Sequence, residues 1–188
     1  MTDNAIYNFV ANNGDTLPLK VIDNGDSTYS LLGKSGGIAT QVDVTPVLTV
    51  HASYVTGDYV GTSGVAGIIA GAARIAGGTG VIKSAVLVDY AKQSVNGEIW
   101  VFDSAPTPPA DSAAWTISDA DAKKCIGIIP FDTHFISAVN GITQMQGNYN
   151  IGFKCATGST SLYFCYVTRG SPAYASGDLT FRFNIWQD

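Results

Sequence analysis

The sequence is short of charge. Asp, Glu, Lys and Arg make up only 13% of it, about half the share usual in globular proteins. Its basic residues gather into no stripe and its net charge is −5, so direct binding to DNA or RNA is not expected. Histidine is scarcer still: His51 and His134 are the whole imidazole inventory, and neither has a Cys, Asp or His at metal-ligand spacing. His134 with Asp132 could hold a metal only with help from distant residues. The cysteines, Cys125, Cys155 and Cys165, are an odd set with no CxxC spacing. Cys155 and Cys165 lie in apolar runs and read as small buried hydrophobes, reduced as in a cytoplasm, with a single disulfide left open. Long hydrophobic runs are missing too. The most apolar window, residues 65–76, is broken by glycines and Arg74 and is too short to span a bilayer. The opening MTDNAIYNF lacks the basic and apolar parts of a secretory signal. The expectation is a soluble protein with no membrane partner.

Catalytic signatures are equally thin. There is no GxSxG elbow, and Gly61-Thr62-Ser63-Gly64 is only a loose echo of one. Gly77-Gly78-Thr79-Gly80 lacks the GK[ST] ending of a phosphate loop and precedes a strand-like run. Asp119 and Asp121 fit a helix start, and Asp23 and Asp26 flank a turn tip with too few oxygen ligands for calcium. The sequence therefore predicts no enzyme, no metal and no cofactor.

What is present is β pattern. Apolar residues reach 46%, with 21 Gly and 9 Tyr, a composition that suits short strands and tight turns. It also suits a surface partly covered by copies of the chain or by a larger assembly. Residues 81–90 are β-branched and apolar, and in residues 98–103 Ile99 and Val101 alternate with Glu98, Trp100 and Phe102. Asn96-Gly97 between them favours a type I′ turn, so these two runs are expected to pair as an antiparallel hairpin. Further strands are expected at 46–51, 54–60, 65–70, 125–131, 135–139, 149–155 and 161–168, with a second short one toward Ile75. Residues 104–114, rich in Pro, Ala and Ser, read as an exposed loop, and 140–148 as a loop or edge. Ser118-Asp119-Ala120-Asp121 has the capping-box spacing for one or two helical turns through Lys124.

The last run, 178–187, alternates most cleanly: Leu179, Phe181, Phe183 and Ile185 face one way, Thr180, Arg182, Asn184 and Trp186 the other. Trp186 is thereby set opposite the core, whereas most other aromatics, Trp100 and Trp115 included, read first as packing. The expected fold is all-β, an antiparallel β-sandwich, jelly-roll-like, over residues 38–188. Residues 1–37 form an appendage: a small β-hairpin with strands at 17–22 and 28–32 around Asp23-Asn24-Gly25-Asp26-Ser27, then the flexible joint GKSGG at 33–37. A two-stranded hairpin is marginal alone. Leu17, Leu19, Val21, Tyr29 and Leu31, with Arg182 and Trp186 on the last strand, are therefore the candidate partner-binding residues.

Four stretches carry a resemblance. LPLKVIDNGDSTYSLLG (17–33) is similar to the VKVVDNGDGTYSL segment near the N-termini of tailed-bacteriophage virion proteins. IIAGAARIAGGTGVIKSAVL (68–87), IWVFDSAPTPPADSAAWTISDADAKKCIGIIPF (99–131) and LYFCYVTRGSPAYASGDLTFRFNIWQD (162–188) resemble later segments of the same structural proteins, in the same order. The resemblance covers about residues 14–32 and 45–188 and has no clear counterpart at 131–148. It implies a virion protein, assembled in the host cytoplasm, whose partners are the major capsid protein or other virion proteins and copies of itself, a trimer among the options. A capsid decoration or auxiliary role is the first expectation; a receptor- or glycan-binding module of a head or tail fibre is the alternative.

Overall fold

The computed structural model describes residues 6–10, 16–23, 29–31, 37–48, 53–145 and 149–188, the first three stretches as backbone only. The chain divides into two compact units, residues 1–36 and 37–188. The first is an antiparallel sheet of β1 (Ile6–Val10), β2 (Thr16–Asp23) and β3 (Tyr29–Leu31), in that order. The expected hairpin is its β2–β3 half, with Val21 opposite Leu31 and Asp23 opposite Tyr29. The sequence reading omitted β1, whose IYNFV has no clean polar face, yet it pairs along β2 from Ile6–Lys20 to Val10–Thr16. A third strand relieves the marginality of a lone hairpin. The side chains of Leu17, Leu19, Val21, Tyr29 and Leu31, and the joint at 33–36, lie outside the described residues.

Among its described residues the second unit is all-β apart from one turn of helix. Its strands are β4 (Ile38–Val44), β5 (Tyr59–Val60), β6 (Gly67–Ile69), β7 (Thr79–Asp89), β8 (Gly97–Phe102), β9 (Cys125–Ile136), β10 (Gly141–Met145), β11 (Ile151–Lys154), β12 (Leu162–Thr168) and β13 (Leu179–Gln187). They form one antiparallel sheet in the order β4-β13-β7-β10-β9-β8-β12-β5, with β11 also on β7 and β6 also on β12. The expected hairpin of β7 with β8 does not form, because β10 and β9 lie between them. The tight hairpin lies instead at residues 137–140, where β9 turns into β10 and Ile136 stands opposite Gly141. Residues 125–131 and 135–136, expected as parts of separate strands, belong to the single β9, and the expected loop after Asn140 is β10. Of the expected strand at 54–60 only Tyr59–Val60 forms a strand, residues 45–48 and the segment at Ile75 are irregular, and β4 falls on residues of the expected sandwich where no strand was expected. The inward side chains of β4, Val42 and Val44, are what pack it on the core.

The sheet curls onto itself. Phe164 of β12 meets Phe181 and Phe183 of β13 with ring centroids 5.1 and 5.3 Å apart. These strands are five steps apart in the order, and in a flat sheet would stand roughly 24 Å apart at about 4.8 Å per strand. β4 likewise touches β6, a partner of β12 at the other end of the order. Apolar burial draws the two ends together: Ile82, Leu87, Ile99, Val101, Phe131, Leu162, Phe181 and Phe183 fill the enclosed space.

A second, smaller cluster lies on the opposite side of β8 and β12: Tyr59, Ala66, Phe102 and Cys165, with Trp100 and Trp115 packed against them. It is covered by residues 104–117, so this segment is not the exposed loop expected: Pro106, Pro108 and Asp111 are buried. Its backbone runs along β5, with Tyr59 N–H donating to Ala113 O and Ser112 N–H to Tyr59 O, both at 2.9 Å. Asp111 Oδ1 accepts from the Tyr54 hydroxyl at 3.0 Å and from Gly61 N–H at 3.3 Å. The helix α1 (Asp119–Ala122) starts as its spacing predicts, with Ser118 Oγ accepting from Asp121 N–H at 3.1 Å.

Candidate interaction surface

The period-2 alternation of β13 is realised in full. Leu179, Phe181, Phe183 and Ile185 are at most 1% exposed, and Thr180, Arg182, Asn184 and Trp186 face outward. Each outward residue heads a row across the sheet. Arg182 stands between Asp43 of β4 and Val86 of β7, and Trp186 between Ala39 and Val81. Arg182 Nε and Nη2 donate to the two carboxylate oxygens of Asp43, both at 2.8 Å. These hydrogen bonds hold the Asp43 carboxyl below its ordinary range and raise the guanidinium of Arg182. With side chains 42% and 41% exposed, the pair is screened by water and orients the two groups more than it stabilises the fold.

Trp186 is 54% exposed. The Lys83 ammonium lies 5.1 Å from the centroid of its ring, within cation–π range, and donates to Asn150 Oδ1 at 2.5 Å. Asn184 Nδ2 donates to Ser84 Oγ at 2.8 Å. Of the residues expected to bind partners, the structure thus brings Arg182 and Trp186 onto one outward face.

Sequence reasoning missed a second exposed surface, at the β9–β10 hairpin. Phe135 is 59% exposed, Ile136 63%, Val139 76% and Ile142 43%. Phe135 stands opposite Ile142, and Ile142 opposite Val88, so these share one face. The tip is rigidified by its own hydrogen bonds: Ser137 N–H donates to Asn140 O at 2.8 Å, and Ser137 Oγ accepts from Asn140 N–H at 3.0 Å. The signal that could have found it is Asn140-Gly141 between apolar runs, the same dipeptide read as a turn at Asn96-Gly97.

The other candidates are occupied by structure. His134 bonds Thr143 Oγ1 through Nδ1 at 2.8 Å and Asn96 Oδ1 through Nε2 at 2.9 Å; His51 lies outside the described residues. Among the described residues no group of three His, Cys, Asp or Glu is placed to hold a metal ion. Asp121 serves its own neighbourhood, accepting from Lys124 Nζ at 2.6 Å, Ser118 Oγ at 3.0 Å and Thr107 N–H at 3.3 Å. Trp100 and Trp115 pack on each other with centroids 5.6 Å apart, and both are less exposed than Trp186. The three cysteines are free thiols, and burial raises the pKa of each, Cys165 to about 12. A thiol that keeps its proton is a poor nucleophile.

What this arrangement offers chemically is contact: two outward surfaces, one mixed and one apolar. No protein-family model matches the chain, and no curated protein or solved structure matches it either.

Proposed function

We propose that this chain is a structural protein of a tailed-bacteriophage virion, a capsid decoration or auxiliary protein that binds and reinforces the head surface through subunit contacts. The observation that carries the reading is the ordered run of four stretches, 17–33, 68–87, 99–131 and 162–188, each resembling a segment of such proteins. The curled sheet is read as a jelly-roll-like sandwich, with β4-β13-β7-β10 and β9-β8-β12-β5 as its two walls. Its partners are the major capsid protein or other virion proteins and copies of itself, and its place is the virion, assembled in the host cytoplasm. The mechanism is passive. Four large apolar side chains exposed on one hairpin tip leave apolar area that a subunit contact removes from water.

The alternative, a glycan- or receptor-binding module, is favoured by one observation, the outward and half-exposed indole of Trp186. Titrating purified particles that lack the protein, and separately a glycan array, with wild type and Trp186→Ala tests both. Decoration predicts particle binding weakened by the substitution and no glycan signal. Strong glycan binding that depends on Trp186 overturns it.

A further inference from the structure

At one end of the curled sheet, three buried oxygen atoms have no hydrogen-bond partner among the described residues: Asp89 Oδ1, Ser94 Oγ and the Tyr166 hydroxyl. Asp89 is 2% exposed and Tyr166 1%. They come from separate elements: Asp89 closes β7, Ser94 belongs to the 90–96 loop, and Tyr166 is on β12. Asp89 and Ser94 are held side by side, since Ser94 N–H donates to Asp89 Oδ2 at 3.0 Å. Both flank Gly141, where a Cβ would come within 3.6 Å of Ser94 Oγ and 3.9 Å of Asp89 Cβ. The Tyr166 hydroxyl reaches the same end, resting over Gly97 closer than any side chain there would allow. Burial first, and then the charge of Asp89, raises the pKa of Tyr166, so the two groups share one field. No ammonium answers that carboxylate from the adjoining loop, because Lys92 Nζ donates to Ala138 O at 2.8 Å.

We propose that this cluster binds one internal water molecule, which accepts from the Tyr166 and Ser94 hydroxyls and donates to Asp89 Oδ1. The choice of ligand follows from counting protons. Two hydroxyl hydrogens need acceptors and one carboxylate oxygen needs a donor. Water supplies two lone pairs and two O–H groups, and so satisfies all three with one O–H to spare. A metal cation would serve the carboxylate but leave both hydroxyl protons unpaired, and an ammonium ion, which only donates, fails the same way. Three polar partners are typical of a buried water. Leaving such groups unpaired is costly in a low-dielectric interior. β7 and β12 are four steps apart in the strand order, so the water links them across the interior rather than along the sheet.

Two measurements on the full chain test this. A high-resolution crystal structure should show a density peak within about 3.2 Å of both Asp89 Oδ1 and the Tyr166 hydroxyl. In solution, the Ser94 amide should show a water cross-peak from a slowly exchanging molecule, lost in the double variant Ser94→Ala, Tyr166→Phe. The proposal is overturned by direct contact between Tyr166 and Asp89, or by a peak at about 2.4 Å that a chelator removes, which marks a cation. A cross-peak absent from wild type, or one that survives in the double variant, overturns it equally.

Discussion

Phe183 is fully buried and meets Phe164 across the interior at 5.3 Å between centroids. Truncating it leaves a cavity between strands that are not neighbours in the sheet, where relaxation of one strand cannot fill the space. Phe183→Ala should therefore cost about 3–5 kcal/mol, read as a lowered urea midpoint; a loss below about 1 kcal/mol would remove the inner face of β13 from the core. The thiols give a pH dependence. The pKa of Cys165 rises from 9.0 to about 12, mainly by burial and then by the charge of Asp121 and by Cys125. A raised folded pKa means that the folded state keeps a proton the unfolded chain gives up. Stability from this source is complete below pH 9 and lost as pH rises from 9 through about 12. Tyr54 and Tyr59, also raised mainly by burial, act in the same direction above pH 10. The denaturation midpoint should hold from pH 7 to 9 and fall by pH 11; a midpoint unchanged at pH 11 contradicts the burial of these groups. At this scale much was legible. The alternation of β13 and the burial of Cys155 and Cys165 follow from local apolar pattern. The second cluster around Trp115 was not legible, because it depends on residues 104–117 lying along β5, a pairing between segments about fifty positions apart.

Among elements, strand existence was more legible than strand pairing. β7, β8, β12 and β13 lie where β-branched and aromatic runs place them, yet β7 and β8 do not pair. Asn-Gly occurs at 96–97 and at 140–141, and only the second borders a tight hairpin. Gly97 answers a different demand: it lies within β8, and the Tyr166 ring occupies the space a Cβ would need. Neither Asn-Gly pair adopts the positive φ of a type I′ turn, so the dipeptide alone does not locate the hairpin. The β9–β10 hairpin is the more informative element for function, since Ile136 and Val139 are 63% and 76% exposed. Replacing both with Ser should change stability by no more than about 0.5 kcal/mol each, while weakening self-association in sedimentation or binding to particles. If stability collapses, the tip belongs to the fold and not to a contact.

For the whole molecule, the division at residue 36 makes a direct prediction. The unit of residues 37–188 has its own core, with ten strands in one sheet. Deleting residues 1–36 should leave a cooperatively folding protein with β-type circular dichroism, impaired in joining its partner. An unfolded product would show that the two units form one cooperative structure. All-β composition was readable from Gly-punctuated short runs and scarce charge; the curl of one sheet was not, because it arises from contacts between strands distant in the order. By the function proposed above, this chain has its place in a virus particle. A three-dimensional map of the intact virion, fitted with residues 37–188, tests it most directly. Density for this unit is expected on the outer head surface, in contact with the major capsid protein and with its own copies. Density confined to a tail fibre tip, or no density in the particle at all, would contradict it.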